Sequence, residues 1–212
     1  MKLKLTLPLR PFILTQSYGE DLACVDTKTY KTVISRTGAT CPSGFVSLYV
    51  ASGMLGHNGL DIAARSWQPI YSSTSGVVTE FVSEKKRGLG LGIVTNDRYE
   101  FDRFSAFAKL RYWHLAGMAV EKGDIIKKGQ LIGWADNTGY SSGNHLHFEL
   151  KPVLWDETSK EYYNVLQTNG YYGAIDPTPY LSQMTLNEIG YFIYNVKRKL
   201  EDIRIKVGLL FK

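Results

Sequence analysis

Short runs of alternating apolar and polar residues recur through the middle of this 212-residue chain, separated by Gly, Asn, Asp and Ser. The clearest are PIYSSTSGVVTEFV, GLGLGIVTND, LRYWHL, VEKGDIIKKGQLIGWA and GNHLHFEL, all between residues 69 and 150. Successive side chains of a strand point to opposite faces, so each run predicts a strand with one packed face. The series shows neither a β-α-β rhythm nor a solenoid repeat. The pattern predicts a mainly β domain built on an antiparallel sheet.

The pattern changes on both sides of this series. PFILTQSYG predicts a strand followed by a turn, so residues 1–20 are assigned to an N-terminal strand of the core. Residues 21–56 have no clear period, and we interpret them as an irregular insertion or loop. Residues 57–181 form the predicted core domain, and residues 182–212 predict a separate C-terminal element.

That C-terminal element is expected to be an amphipathic helix. Thr185 and Glu188 form the Ser/Thr-x-x-Glu pattern of a helix start, and apolar residues then follow at spacings of three and four. The flanking heptad positions are mostly basic, so a parallel homodimeric coiled coil would set like charges against each other. We expect the helix to contact the protein's own body, a partner protein or an anionic membrane surface.

Composition and charge narrow the classes of function. The formal net charge of +5 and pI near 9.0 suit polyanionic surroundings. The core has no dense basic patch or RNA-binding motif, so we expect no nucleic-acid partner. No apolar run reaches the roughly 18 residues needed to cross a membrane. The N-terminal MKLKLTLPLRPF lacks a signal-peptide core, which suggests a removed leader, non-standard export or a phage-borne protein.

Two of the four histidines stand in GNHLHFEL. Alternation places His145, His147 and Glu149 on one face of the predicted strand. Two imidazoles at a strand end can both bind a metal, or one can bind while the other transfers protons. The alternative is a half-buried strand with two histidines facing solvent. For Glu149, a solvated position is favoured over a role in orienting a ligand.

His57 precedes Asp61 by four residues in GHNGLD. A straight strand would hold their Cα atoms ~13 Å apart, but the turn dipeptide Asn58-Gly59 can bring the side chains together. With one histidine of GNHLHFEL they would provide two nitrogen ligands and one oxygen ligand, leaving the open position that a catalytic zinc requires. Asp61 as an ordinary turn residue remains an alternative.

HNGLD, YWHL and the stretch from VEKGD to HFEL resemble the lysostaphin-type zinc endopeptidases, which cleave peptidoglycan cross-bridges. The resemblance covers about residues 57–150. It implies three zinc ligands, His57, Asp61 and His147, which hold one Zn²⁺ per chain. It implies that His114 and His145 are catalytic, one of them accepting a proton from water and either stabilising the oxyanion.

The chain departs from the family's pattern at several places that bear on substrate choice. Ser66-Trp67-Gln68-Pro69 replaces a Gly-Thr-Pro step, and Asn144 stands where proline is common. The segments 20–56 and 97–109 are longer than the family's connections.

The resemblance implies a zinc-dependent endopeptidase that hydrolyses peptidoglycan stem peptides or cross-bridges at the bacterial cell wall. An inactive peptidase-like domain that only binds the wall is the main alternative, and metal content would separate the two. Metal-dependent deacetylation of glycan is a further alternative. A lipoyl or biotinyl carrier is disfavoured because Met-Lys-Met and Asp-Lys-Ala are missing.

The two cysteines, Cys24 and Cys41, belong to the same segment. They lack the close Cys-x-x-Cys spacing of a metal site, so they are weak rivals as zinc ligands. A target outside the cytoplasm favours a disulfide between them, while two free thiols in a reducing compartment fit the spacing equally well.

Overall fold

The computed structural model of the chain describes residues 1–182, apart from 27, 30, 31, 35–40 and 86. The strands are β1 (Leu14–Gln16), β2 (Ala23–Asp26), β3 (Thr32–Ile34), β4 (Phe45–Ser47), β5 (Leu60–Ala63), β6 (Gln68–Tyr71), β7 (Gly76–Glu84), β8 (Gly88–Phe101), β9 (Phe104–Trp113), β10 (Leu115–Met118), β11 (Ile125–Ile126), β12 (Leu131–Ala135), β13 (His145–Asp156) and β14 (Glu161–Asn164). A short helix, α1, spans Leu48–Ala51, and a 3-10 turn spans Thr178–Tyr180.

The main sheet runs β1-β5-β13-β9-β8-β7-β11, with β14 also paired to β13, and it has eight strands in the described part of the chain. Every pairing within it is antiparallel. A second sheet, β10-β12-β6, continues from the end of β9. The predicted antiparallel β fold is confirmed.

The core lies on the face of the main sheet where the apolar positions of the strands converge. In β13, Leu146, Phe148 and Leu150 are fully buried, as their alternation predicts. Leu3, Leu5, Leu7 and Leu9 pack into the same core, although only Leu5 forms a β-bridge, with Leu181. The N-terminal residues therefore contribute more packing than strand pairing.

The segment 21–56 is not irregular throughout, and that expectation is wrong for its described part. Strands β3, β2 and β4 form a small antiparallel sheet, and α1 follows directly. These strands have only three or four residues, too few to show a period in the sequence. Cys24 and Cys41 form a disulfide, as hypothesised, and the disulfide closes this segment on itself.

The helix expected at residues 182–212 falls almost entirely outside the described residues. Among the residues that are described, no helix is long and apolar enough to cross a bilayer.

Candidate metal and catalytic site

Strand β13 brings the histidines together because it lies between β5 and β9. His147 is the cross-strand partner of Asp61 in β5 and of Trp113 at the end of β9. His114 follows Trp113 directly, and His145 begins β13. The register therefore gathers residues that are separated by up to 90 positions in the chain.

A bend at Gly59, directly before β5, accompanies the approach of His57 to the same place. Its ring lies 3.1 Å from Asp61, measured from Nε2 to Oδ1, so the two side chains come together as expected. Gly59 is required here for space. A Cβ at this position would lie 2.6 Å from the Phe148 carbonyl oxygen and 2.9 Å from the His147 ring.

Three donor atoms converge on one point: His57 Nε2, Asp61 Oδ1 and His147 Nδ1. The two nitrogens are 2.8 Å apart, and the Asp61 oxygen lies 2.8 Å from His147 Nδ1 and 3.1 Å from His57 Nε2. Atoms that bind one tetrahedral zinc at ~2.0–2.1 Å lie roughly 3.3 Å apart. The three residues therefore match a metal-ligand set after outward shifts of a few tenths of an ångström.

The outer hydrogen bonds of the two rings decide which nitrogens face this point. His57 Nδ1 lies 3.1 Å from the Ser17 carbonyl oxygen, and His147 Nε2 lies 3.3 Å from Glu149 Oε1. Both partners only accept, so those nitrogens carry the protons. In the neutral rings, His57 Nε2 and His147 Nδ1 then turn lone pairs toward each other and toward a carboxylate. Such an arrangement is repulsive until a cation or a proton occupies it.

The charge state of the Asp61 carboxylate also favours a cation at this point. Burial raises the pKa of Asp61, but the surrounding histidines, above all His57, outweigh burial and hold it well below its usual range. Burial lowers the pKa of His147, but hydrogen bonds to Asp61 and Glu149 raise it to about 9. The site therefore has an electrostatic preference for positive charge.

Glu149 is not the solvated residue that the sequence interpretation favoured. It is 4% exposed and accepts hydrogen bonds from His147 Nε2, Asn58 Nδ2 and Arg111 Nη1, with Lys151 Nζ 3.2 Å away. Burial raises its pKa, but Arg111 and Lys151 hold that pKa well below its usual range. Arg111 is shared with Glu80. Glu149 is thus a buried anion that fixes the orientation of the His147 ring.

His114 sits at the end of β9 with a φ of 64°, a conformation that residues other than glycine rarely adopt. Its Nδ1–H donates to the Thr138 carbonyl at 2.6 Å, which leaves Nε2 as the accepting nitrogen. Burial, with the nearby rings of His145 and His147, lowers the pKa of His114 to about 3. The ring is therefore neutral at pH 7.

His145 has the same arrangement. Its Nδ1–H donates to the Gly143 carbonyl at 2.8 Å, with Ser141 Oγ 3.1 Å away. Its Nε2 lies 3.5 Å from Asp61 Oδ1. The His145 and His114 rings are 4.7 Å apart. The accepting Nε2 atoms of His114 and His145 thus lie beside the three candidate metal-ligand atoms. All four histidines meet in one site.

A groove of about 740 Å³ runs over this site, and part of its wall was not anticipated from the sequence. Tyr49 of α1 packs against the His57 ring, with ring centroids 5.8 Å apart, and accepts a hydrogen bond from Gln16. The Tyr172 hydroxyl donates a hydrogen bond to the Ser52 carbonyl oxygen, which joins segment 21–56 to the loop after β14. A lone tyrosine in an aperiodic stretch carries no sequence signal for such a role.

The antiparallel sheet brings two histidines and an aspartate together at a point that favours a cation, and an open groove lies over that point. This combination is typical of metal-dependent hydrolases. The profile of peptidase family M23 matches residues 55–161, which is half of the chain. The chain belongs to peptidase family M23, and the resemblance to the lysostaphin-type enzymes is confirmed.

Relatives of this chain include lysostaphin and a peptidoglycan endopeptidase. Lysostaphin from Staphylococcus staphylolyticus is 31% identical over 128 residues, covering 58% of this chain and 25% of lysostaphin. Peptidoglycan DD-endopeptidase ShyB from Vibrio cholerae is 37% identical over 101 residues, covering 48% of this chain and 22% of ShyB. The chain thus spans about a quarter of the length of these relatives.

A solved structure of a zinc-containing peptidase from Vibrio cholerae shares the fold. Its TM-score is 0.50 at 21% identity, and the match covers 87% of this chain and 41% of that one.

Proposed function

We propose that the protein is a zinc-dependent endopeptidase that hydrolyses peptide bonds in peptidoglycan, in stem peptides or in cross-bridges. The observation that carries the proposal is the convergence of two imidazole nitrogens and a carboxylate oxygen within 3.1 Å of one another. The name of the relative ShyB, a peptidoglycan DD-endopeptidase, supports the substrate class.

His57, Asp61 and His147 would hold one Zn²⁺ per chain. When bound, zinc supplies Lewis-acid chemistry, activating water near neutral pH and polarising a carbonyl. Three protein ligands leave room for reactants, whereas a structural zinc would take a fourth residue.

His114 and His145 would act on the proton and on the oxyanion. Both rings are held by carbonyl acceptors at Nδ1, so each presents Nε2 in a fixed direction. A neutral imidazole with a bare Nε2 can accept a proton, and once protonated it can donate to the oxyanion of the tetrahedral intermediate. The complete set of five residues favours activity over an inactive, wall-binding form.

Hydrolysis of purified peptidoglycan is expected to release new peptide ends that mass spectrometry identifies. Release should stop in the presence of a chelator and return when Zn²⁺ is added. Loss of acetyl groups in place of new peptide ends would assign the site to glycan deacetylation. Binding to the wall without any product, by protein containing one zinc, would contradict the proposed hydrolysis.

Glu149→Gln is expected to weaken zinc binding about 10–100-fold, because it removes the charge that orients His147 while preserving side-chain shape. The measurement is competition against a chromophoric chelator. Glu80→Gln is the matched control: Glu80 also binds Arg111 but does not touch a candidate ligand. Equal losses in both variants would show that the charge network supports only the fold.

A further inference from the structure

The turn between β5 and β6 carries an indole that the proposed chemistry does not use. Trp67 is 61% exposed and has a φ of 60°, a conformation that glycine adopts freely and other residues rarely adopt. It lies in the Ser66-Trp67-Gln68-Pro69 stretch that replaces the family's Gly-Thr-Pro step. Trp67 is large and apolar but exposed in a strained turn, so it contributes little buried surface to the fold. This combination indicates a role at the surface.

Trp67 forms a surface with a second indole. Its ring centroid lies 5.9 Å from that of Trp134 in β12, with 48° between the ring planes. Gly117 of β10 runs beside both rings, and a Cβ there would lie 3.8 Å from each. Pro69 is the exposed cross-strand neighbour of Trp134. We call Trp67, Trp134 and Pro69 the indole platform; it is apolar and has no charged member.

The indole platform is joined directly to the candidate active site through Asp136. Ser66 Oγ, one residue before Trp67, donates to Asp136 Oδ1 at 2.9 Å. The Asp136 N–H donates to the His114 carbonyl at 2.8 Å, and the His145 N–H donates to the Asp136 carbonyl at 3.2 Å. A single residue therefore connects the platform's turn to both candidate catalytic histidines.

We propose that the indole platform binds a pyranose ring of the glycan strand. The proposal rests on the proposed function, since a peptide held in the groove remains attached to its sugar. The C–H face of a pyranose packs on aromatic rings while its hydroxyl groups stay in water, and a neutral sugar needs no charged partner. A pair of tilted, uncharged indoles, linked through Asp136 to the candidate catalytic histidines, fits that chemistry.

The test measures binding of peptide-free glycan strands, prepared by amidase digestion of peptidoglycan, to the full chain by calorimetry. Trp67→Gly removes one indole and relieves the left-handed backbone, so the turn is expected to keep its shape. Its affinity for the strands should fall about tenfold, and Trp134→Ala should weaken binding similarly. Trp155→Ala is the control: this indole is 38% exposed and lies ten residues beyond His145 in β13, roughly 33 Å along the strand.

Unchanged glycan affinity in Trp67→Gly, or an equal loss in Trp155→Ala, would overturn the proposal. So would a concentration-dependent dimer that Trp67→Gly dissociates without any change in glycan affinity, because the platform would then serve self-association. Peptide release is not needed for this measurement. If the protein binds glycan through Trp67 but releases no peptide, only the proposed hydrolysis is refuted. If it releases peptide and Trp67→Gly binds glycan with unchanged affinity, only the glycan-binding role of the indole platform is refuted.

Discussion

Alanine at His147 is expected to leave a protein that holds no zinc and releases no peptide from peptidoglycan. The substitution removes one of three converging donors and leaves Asp61 and Glu149 as anions without their shared partner. Outer partners of metal ligands are already worth about 10–100-fold in affinity, so loss of a ligand should exceed that range. Metal content by mass spectrometry, measured beside turnover, checks this result.

His57→Ala and Asp61→Ala are expected to lose zinc and activity in the same way, because His57 Nε2 and Asp61 Oδ1 belong to the same set of three candidate metal ligands. Asp61→Asn is the matched control for shape: it keeps the size of the side chain but removes the negative charge, which the lowered pKa of Asp61 favours at neutral pH. Near-stoichiometric zinc in His147→Ala, together with an empty His145→Ala, would mean that the ligand and catalytic positions of the pair are exchanged.

The alternation of GNHLHFEL was sufficient to predict which of its residues face the core and which face the site. The prediction held because each face of a strand is fixed by a period of two. The same rule does not say what covers the other face. Glu149 was expected to be solvated, yet it is buried beside Arg111, which lies 38 residues away in β9 and becomes a neighbour only through the sheet register.

The groove walls lay beyond sequence reasoning for a related reason. Tyr49 reaches His57 because segment 21–56 folds into its own small sheet, closed by the disulfide, and is tied to the loop after β14. None of these contacts leaves a period in the sequence. The departure at Trp67 was visible, but its left-handed backbone and its pairing with Trp134 come from the turn geometry and from β12.

Alanine at His145 or His114 is expected to separate catalysis from metal binding. Neither ring belongs to the set of three candidate metal ligands, so each variant should keep about one zinc per chain. Each should lose roughly 10²–10⁴ in turnover, the usual contribution of a positioned acid–base or oxyanion-stabilising group. The measurement pairs zinc content with the initial rate on soluble peptidoglycan peptides.

A shape control guards this result against misfolding. The backbone of His114 is left-handed and its Nδ1–H donates to the Thr138 carbonyl, so alanine there removes a hydrogen bond to the loop that also positions His145. Asparagine tolerates that backbone conformation better than most residues, and its amide can donate to the same carbonyl. His114→Asn should therefore keep the loop and the zinc but remain as slow as His114→Ala, because the accepting Nε2 is gone. Full activity in His114→Asn would show that His114 only holds the loop, and zinc loss in both variants would place it within the metal site.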